Sequence, residues 1–125
     1  MAYITSSEDA RNAGVTYHLI PAEVWSLVQG QPEYLPEAYE ADGFIHCTNG
    51  IDQLVTVANW FYVPDPRAFK TLALKVSDIT SDVRYDDAES LFPHIYGPLN
   101  LDAVIAVFDV TRADDGSFVG VTPET

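Results

Sequence analysis

Basic side chains are scarce in this sequence. Six Lys and Arg residues stand against nineteen Asp and Glu residues, so the formal net charge is −13 over 125 residues. Proteins that bind nucleic-acid polymers use Lys and Arg to neutralise phosphates, and this acidic chain would repel DNA and RNA. The charge therefore argues against a nucleic-acid polymer as partner. It leaves room for a small nucleotide, which one well-placed cation can meet.

Cysteine and long apolar runs are also scarce. Cys47 is the only cysteine, so the chain can form neither an internal disulfide nor a Cys-rich zinc cage. No apolar run approaches the ~20 residues that a membrane span needs. The first residues lack the basic and apolar regions of a signal peptide. These absences predict a cytoplasmic protein with no membrane partner.

The remaining composition is that of a folded domain. Hydrophobic residues make up 47% of the chain and charged residues 20%, as in globular proteins. Residues 1–13 are polar and aperiodic, which predicts a loose N-terminal leader. Residues 14–125 contain no repeat or linker and are expected to form a single domain. The sequence leaves the oligomeric state open.

A strand followed by a helix is predicted twice in the first half. Alternating β-formers indicate a strand over 15–20, and a helical stripe follows over 22–29. A short strand over 43–47 precedes a helix over 51–61, whose apolar residues recur at helical spacing. Thr48 is the expected N-cap of this second helix.

Extended segments dominate the second half. Strands are predicted over 70–76, 83–85 and 118–121, and the near-continuous apolar run over 103–110 indicates a strand buried on both faces. Prolines bound residues 92–99, which favours an edge strand or an ordered loop. Two early helices and many later strands predict an α+β domain with five to seven short strands.

All three histidines lie in apolar and aromatic motifs. They are His18, His46 and His94. Imidazole can act as an acid, a base, a hydrogen-bond partner or a metal ligand near neutral pH. Their confinement to such motifs predicts that they meet in one pocket. Two alternatives stay open: each ring is a buried group bound to a backbone carbonyl, or the three form a tri-histidine metal site.

Polar tips surround the last histidine. In an extended chain His94 and Tyr96 share one face, beside Gly97, where a glycine allows close approach of a ligand. Arg84 is the nearest cation in sequence, although a surface ion pair would also explain it. Asp86 or Glu89 could turn inward and stabilise a cationic transition state, or remain in a solvated loop.

Three blocks of residues resemble a bacterial family known as domain of unknown function 952. The first block is Tyr17-His18 on a strand. The second is the run Gly-Phe-Ile-His-Cys-Thr over 43–48, followed shortly by Gln53. The third is the run Phe-Pro-His-Ile-Tyr-Gly-Pro-Leu over 92–99, before a buried strand.

That family is similar to an outlying branch of the ADP-ribosyltransferase-type fold. The resemblance implies a split, mainly antiparallel β-sheet with two helices, whose cleft holds NAD in active relatives. His18 would then bind the ribose near nicotinamide, and His46 and Thr48 would stand at the second-strand position. The usual glutamate of the third motif has no clear counterpart, and His94 and Tyr96 occupy that region.

The resulting hypothesis is an enzyme, or former enzyme, that binds or cleaves NAD or a related ADP-ribosyl nucleotide at its N-glycosidic bond. NAD would be a substrate, and no metal ligand is assigned. His18, His46, His94 and Tyr96 are the candidate catalytic residues. The candidate ligand-binding residues are Tyr17, Thr48, Gln53, Arg84, Asp86 and Gly97. The alternatives are a non-catalytic small-molecule binding module and the tri-histidine metal site.

Overall fold

The computed structural model describes residue 10 and residues 13–124. The predicted leader therefore lies almost entirely outside the described residues. Within it Ala10 is fully buried, in the same apolar cluster as Val15 and Tyr17.

The predicted order of strands and helices matches the fold closely. The elements are β1 (Val15–Pro21), α1 (Ala22–Val28), β2 (Glu33–Tyr34), α2 (Tyr39–Asp42), β3 (Ile45–His46), α3 (Ile51–Phe61), β4 (Phe69–Lys75), β5 (Asp82–Tyr85), β6 (Pro93–Tyr96), β7 (Leu99–Asn100), β8 (Val104–Arg112) and β9 (Phe118–Pro123). Short 3-10 turns follow β4 and β7.

The strands form three antiparallel sheets. A four-stranded sheet has the order β1-β4-β8-β9, a three-stranded sheet has the order β3-β6-β5, and β2 pairs with β7. The predicted α+β class with mainly antiparallel strands is confirmed. The strands exceed the expected five to seven because β2 and β7 have two residues each, too few to leave a pattern in the sequence.

The four-stranded sheet has an apolar cluster on each face. On one face Tyr17 and Phe108 pack with Leu54 of α3. On the other face Ile20 packs with Ile45 of the three-stranded sheet. The sheet is therefore the middle layer of the molecule, and side chains of both parities along its strands are apolar.

The prediction that 103–110 is buried on both faces is wrong. Within β8 only Phe108 is fully buried, at 2% exposure, among the described residues. Ile105 packs partly against one cluster and Val107 partly against the other. The apolar run arises because both faces of β8 are half-covered.

Thr48 does not cap α3, contrary to the sequence prediction. The N-cap position is Gly50, and no side chain caps the helix there. The backbone of Thr48 instead forms an isolated bridge to Tyr17, with N···O distances of 2.8 and 2.9 Å. This bridge ties the segment before α3 to the edge of β1, so the helix begins later than a Thr48 cap requires.

Arg112 braces the loop between α3 and β4. Its guanidinium donates to the carbonyl oxygens of Asp65 at 2.6 Å and Arg67 at 2.8 Å, and also to that of Tyr62. The same group lies 4.3 Å from the ring centroid of Phe118, a cation–π contact. The loop that carries Tyr62 and Arg67 is thereby fixed against the four-stranded sheet.

Among the described residues, no helix combines the length and the hydrophobicity needed to cross a bilayer.

Candidate functional site

A cavity of about 380 Å³ opens at the free edge of β1, a size typical of small-ligand sites. β1 is an edge strand, and the Thr48 bridge covers its outer side only at Tyr17. The cavity lies beyond that bridge. Side chains of α1, of α2 with the segment before it, and of α3 form its walls.

His18 lies in the cavity wall and is 6% exposed. Its Nδ1 is 2.7 Å from the carbonyl oxygen of His46, and its Nε2 is 3.3 Å from the hydroxyl of Tyr34. A carbonyl can only accept, so Nδ1 carries the proton and donates it. In the neutral ring Nε2 is then an acceptor. Burial lowers the pKa of His18 to about 4, so the ring is neutral at pH 7.

Tyr34 gives the cavity a second polar group. The residue is buried, and its hydroxyl donates to His18 Nε2 when the histidine is neutral. Burial raises the pKa of Tyr34, and the carboxylate of Glu37 raises it further. The hydroxyl therefore stays protonated at neutral pH and remains a hydrogen-bond donor.

The peptide groups of Leu19 also face the cavity side of β1. Backbone bonds alternate in an antiparallel ladder. Tyr17 bonds outward to Thr48, so Leu19, two residues on and paired with Thr71 of β4, also directs its N–H and C=O away from β4. Leu19 lines the cavity, and an edge strand of this kind can pair with a ligand.

His46 stands on the rim of the cavity, and its side chain is 54% exposed. Its Nε2 is 2.9 Å from Oδ2 of Asp42, the last residue of α2. Gly43 allows this contact because its φ of 80° turns the chain sharply from α2 into β3. His46 thus binds Asp42 through its ring and His18 through its carbonyl.

Arg67 is the one basic side chain that lines the cavity within the described residues. It contacts Asp65 at 2.7 Å, Glu37 at 3.1 Å and Glu23 at 3.6 Å. Its hydrogen bonds hold the pKa of Asp65 below the usual range, and Asp65 in turn raises the pKa of Arg67. The guanidinium is already compensated by carboxylates before any ligand arrives.

The third histidine belongs to a neighbouring group, called here the His94 cluster: His94, Tyr96, Asp86 and Arg84. His94 lies directly opposite His46 in the β3–β6 ladder. Its Nδ1 is 2.9 Å from Asp86 Oδ2, and the Tyr96 hydroxyl donates to the same oxygen at 2.5 Å. The guanidinium of Arg84 lies 4.8 Å from the Tyr96 ring centroid.

These hydrogen bonds shift two ionisable groups of the cluster. Donation from Tyr96 and His94 lowers the pKa of Asp86, and acceptance by Asp86 raises the pKa of Tyr96. None of the four side chains lines the cavity. Phe44 joins the two regions, because it lines the cavity and stacks on the His94 ring at 3.9 Å.

The structure therefore brings some of the predicted residues together and separates others. His18, His46 and Thr48 line one cavity. The ring centroids of His46 and His94 are 5.7 Å apart, so the third histidine adjoins the cavity without lining it.

The other predicted ligand-binding residues lie elsewhere. Tyr17 is 1% exposed and packs edge-on against Phe108 in the core. Gln53 lies half-buried on α3 outside the cavity lining. At Gly97, with φ of 145°, a Cβ atom would stand 2.5 Å from Ser81 Oγ. A neighbouring side chain therefore occupies the space that the sequence assigned to a ligand.

The three histidines do not form a tri-histidine metal site. His18 uses Nδ1 to bind a backbone carbonyl, and His94 uses Nδ1 to bind Asp86. In the part of the chain that the structure describes, no group of three or more His, Cys, Asp or Glu side chains could hold a metal ion. Cys47 is buried, and burial raises the pKa of its thiol, so it is no better placed as a ligand.

Sequence reasoning missed four polar or aromatic residues of the cavity: Tyr34, Asp42, Tyr62 and Arg67. Asp42 had a local signal, because it stands four residues before His46 with a turn-forming glycine between them. The other three reach the cavity through loops and a two-residue strand, which leave no periodic pattern.

Comparison with solved structures shows the fold. The crystal structure of protein CC0527 from Caulobacter crescentus is 22% identical, with a TM-score of 0.70 over 84% of this chain and 93% of that chain. A double mutant of that protein gives the same values. Its solution NMR structure is 23% identical, with a TM-score of 0.65 over 82% and 90% of the two chains.

No match was found among the curated proteins, and none of the comparisons shows a relationship to ADP-ribosyltransferases. A family model described as "Protein of unknown function (DUF952)" matches residues 19–107. This range covers β1 from Leu19 through most of β8, and with it most of the cavity lining. The chain therefore belongs to the DUF952 family.

Proposed function

We propose that the cavity binds a small molecule in which a ring bearing a carboxamide is joined to a ribose, as in NAD or a related ADP-ribosyl nucleotide. The observation that carries this proposal is His18, a buried and neutral imidazole beside a cavity of about 380 Å³. Its Nε2 acceptor and the Tyr34 hydroxyl suit a sugar hydroxyl, which both donates and accepts.

The backbone of Leu19 supports the carboxamide. A primary carboxamide has one carbonyl acceptor and an NH₂ donor, and the outward N–H and C=O of Leu19 complement this pair. Side chains alone do not explain why a ligand should lie along the edge of β1. An exposed strand edge does explain it, since main-chain hydrogen bonds give affinity in such sites.

If the bound N-glycoside is hydrolysed, His46 and Asp42 are the groups that take part. The Nε2–H of His46 faces Asp42, so its Nδ1 accepts a proton from water as the water oxygen bonds to C1′. The C1′–N bond breaks, and its electron pair stays on the ring nitrogen. Asp42 replaces Asp86 as the carboxylate near the developing cation, because Asp86 lies in the His94 cluster outside the cavity.

A binding module without turnover is the second candidate. Both carboxylates that line the cavity stand on its rim, where Glu37 is 73% and Asp42 38% exposed. His18 is neutral at pH 7 and holds its only ring proton against a carbonyl, so it is a poor general acid. Chromatographic detection of released nicotinamide from NAD or nicotinamide riboside separates the two candidates.

Calorimetric titration with nicotinamide, nicotinamide riboside, NAD and ADP-ribose tests binding itself. The parent should bind at least one of these ligands, and His18→Gln should weaken that binding by about tenfold, because one good hydrogen bond is worth ~1 kcal/mol and more in a buried site. His94→Gln is the matched control and should bind like the parent. Absence of heat with all four ligands in the folded protein would refute the proposal.

A further inference from the structure

The cavity walls are rich in aromatic side chains. Tyr39, Phe44, Phe61 and Tyr62 all line the cavity, in addition to Tyr34 beside His18. The face of an aromatic ring carries partial negative charge, and several rings around one space attract an organic cation strongly. A wall of aliphatic residues would hold the same volume without this preference.

Carboxylates surround the aromatic walls. Glu37 and Asp42 line the cavity themselves, and Glu23 and Asp65 contact Arg67 at its edge. Four carboxylates thus compensate the single guanidinium that lines the cavity among the described residues. The excess is negative, and its effect is strong because the site is partly removed from water.

Two tyrosines report this negative potential. After burial, which is the main cause, Glu37 raises the pKa of Tyr34. Burial likewise raises the pKa of Tyr62, and Asp42 and Asp65 raise it further. The carboxylates therefore act on hydroxyls at two separate places in the wall.

We infer that this cavity selects a flat organic cation over neutral and anionic molecules of the same shape. The inference rests on the proposed binding function and narrows its ligand to a ring with a positively charged nitrogen, such as an N-alkylated or N-ribosylated pyridinium. A phosphate beside the ring weakens binding, since Arg67 is already held by Asp65 and Glu37.

Three probes of nearly equal shape test the inference by calorimetry at pH 7.5. They are 1-methylnicotinamide, which is a cation, nicotinamide, which is neutral, and nicotinate, which is an anion. The cation should bind about tenfold more tightly than nicotinamide, and nicotinate should bind most weakly. Raising the salt concentration should weaken the cation alone, because salt screens the rim carboxylates.

Charge-neutralising variants locate the source of the preference. Glu37→Gln and Asp42→Asn should each weaken binding of 1-methylnicotinamide about three- to tenfold and leave nicotinamide unchanged. Asp82→Asn is the matched control, because Asp82 is 76% exposed and lies outside the cavity lining. It removes the same charge and should change neither affinity.

Each outcome decides one question. Equal binding of the cation and of nicotinamide, or an equal loss in Asp82→Asn and Asp42→Asn, would overturn the selection of cations and leave the proposed binding function standing. Absence of binding for all three probes would overturn both.

Discussion

The surroundings of His18 and of His94 differ in what controls the imidazole. His18 is enclosed, bound to a backbone carbonyl and a tyrosine, and kept neutral by loss of solvent. His94 stands on an open sheet face, where a carboxylate binds its Nδ1. Burial favours the neutral form of histidine, and a neighbouring carboxylate favours the charged form. Similar sequence contexts thus produce two chemically different histidines a few residues apart in space.

The largest expected difference is in stability. His18→Ala should lower the free energy of unfolding by about 4 kcal/mol, because it removes a buried ring and leaves the His46 carbonyl without its donor. His94→Ala should cost about 1 kcal/mol, since the lost ring is stacked on Phe44 at the surface. Urea unfolding of both variants measures the difference, and equal losses would contradict the contrast.

The pH dependence of stability should come from His18. Its pKa is about 4 in the folded protein and about 6.5 in the unfolded chain. Between these values the unfolded state binds the extra proton, so stability falls as the pH falls from 6.5 to 4. The full loss is about 3 kcal/mol.

Urea unfolding at several pH values tests this assignment. The loss between pH 6.5 and 4 should disappear in His18→Gln, whose side chain does not titrate, and persist in His94→Gln. A parent whose stability is flat over that window would show that His18 is not neutral by burial.

The smallest expected effects come from a matched pair of tyrosines. Tyr34→Phe removes the hydroxyl that donates to His18 in a buried site and should cost about 1 kcal/mol. Tyr96→Phe removes the hydroxyl that donates to Asp86 at the surface and should leave the urea midpoint unchanged, because water replaces an exposed donor. A larger loss for Tyr96→Phe would mean that the His94 cluster supports the fold.

The parts of the fold with a local cause were predictable. The bounds of α3 follow from apolar residues at helical spacing, and β1 follows from alternation. Thr48 shows the limit of such reasoning. Its residue type suits a helix cap, but a backbone bridge to Tyr17, thirty-one positions away, decides its role.

The candidate site was predictable only in part, because it assembles from distant segments. The histidine motifs indicate polar groups on strand ends, and His18 and His46 do meet at the cavity. The counter-charges were not predictable: Asp42 reaches His46 through a glycine turn, and Glu37 meets Arg67 across thirty positions. Nothing in the local sequence around Arg67 records that pairing, since its geometry exists only after the chain has folded.

The bracing of the 62–67 loop makes the cavity sensitive to a residue that never touches a ligand. Arg112 binds carbonyl groups up to fifty positions earlier in the chain, and those carbonyls belong to the peptide that displays Tyr62 and Arg67. A screen for variants that lose binding should therefore recover substitutions at position 112 alongside those in the lining. A map drawn only from residues near the bound molecule would leave out its main remote support.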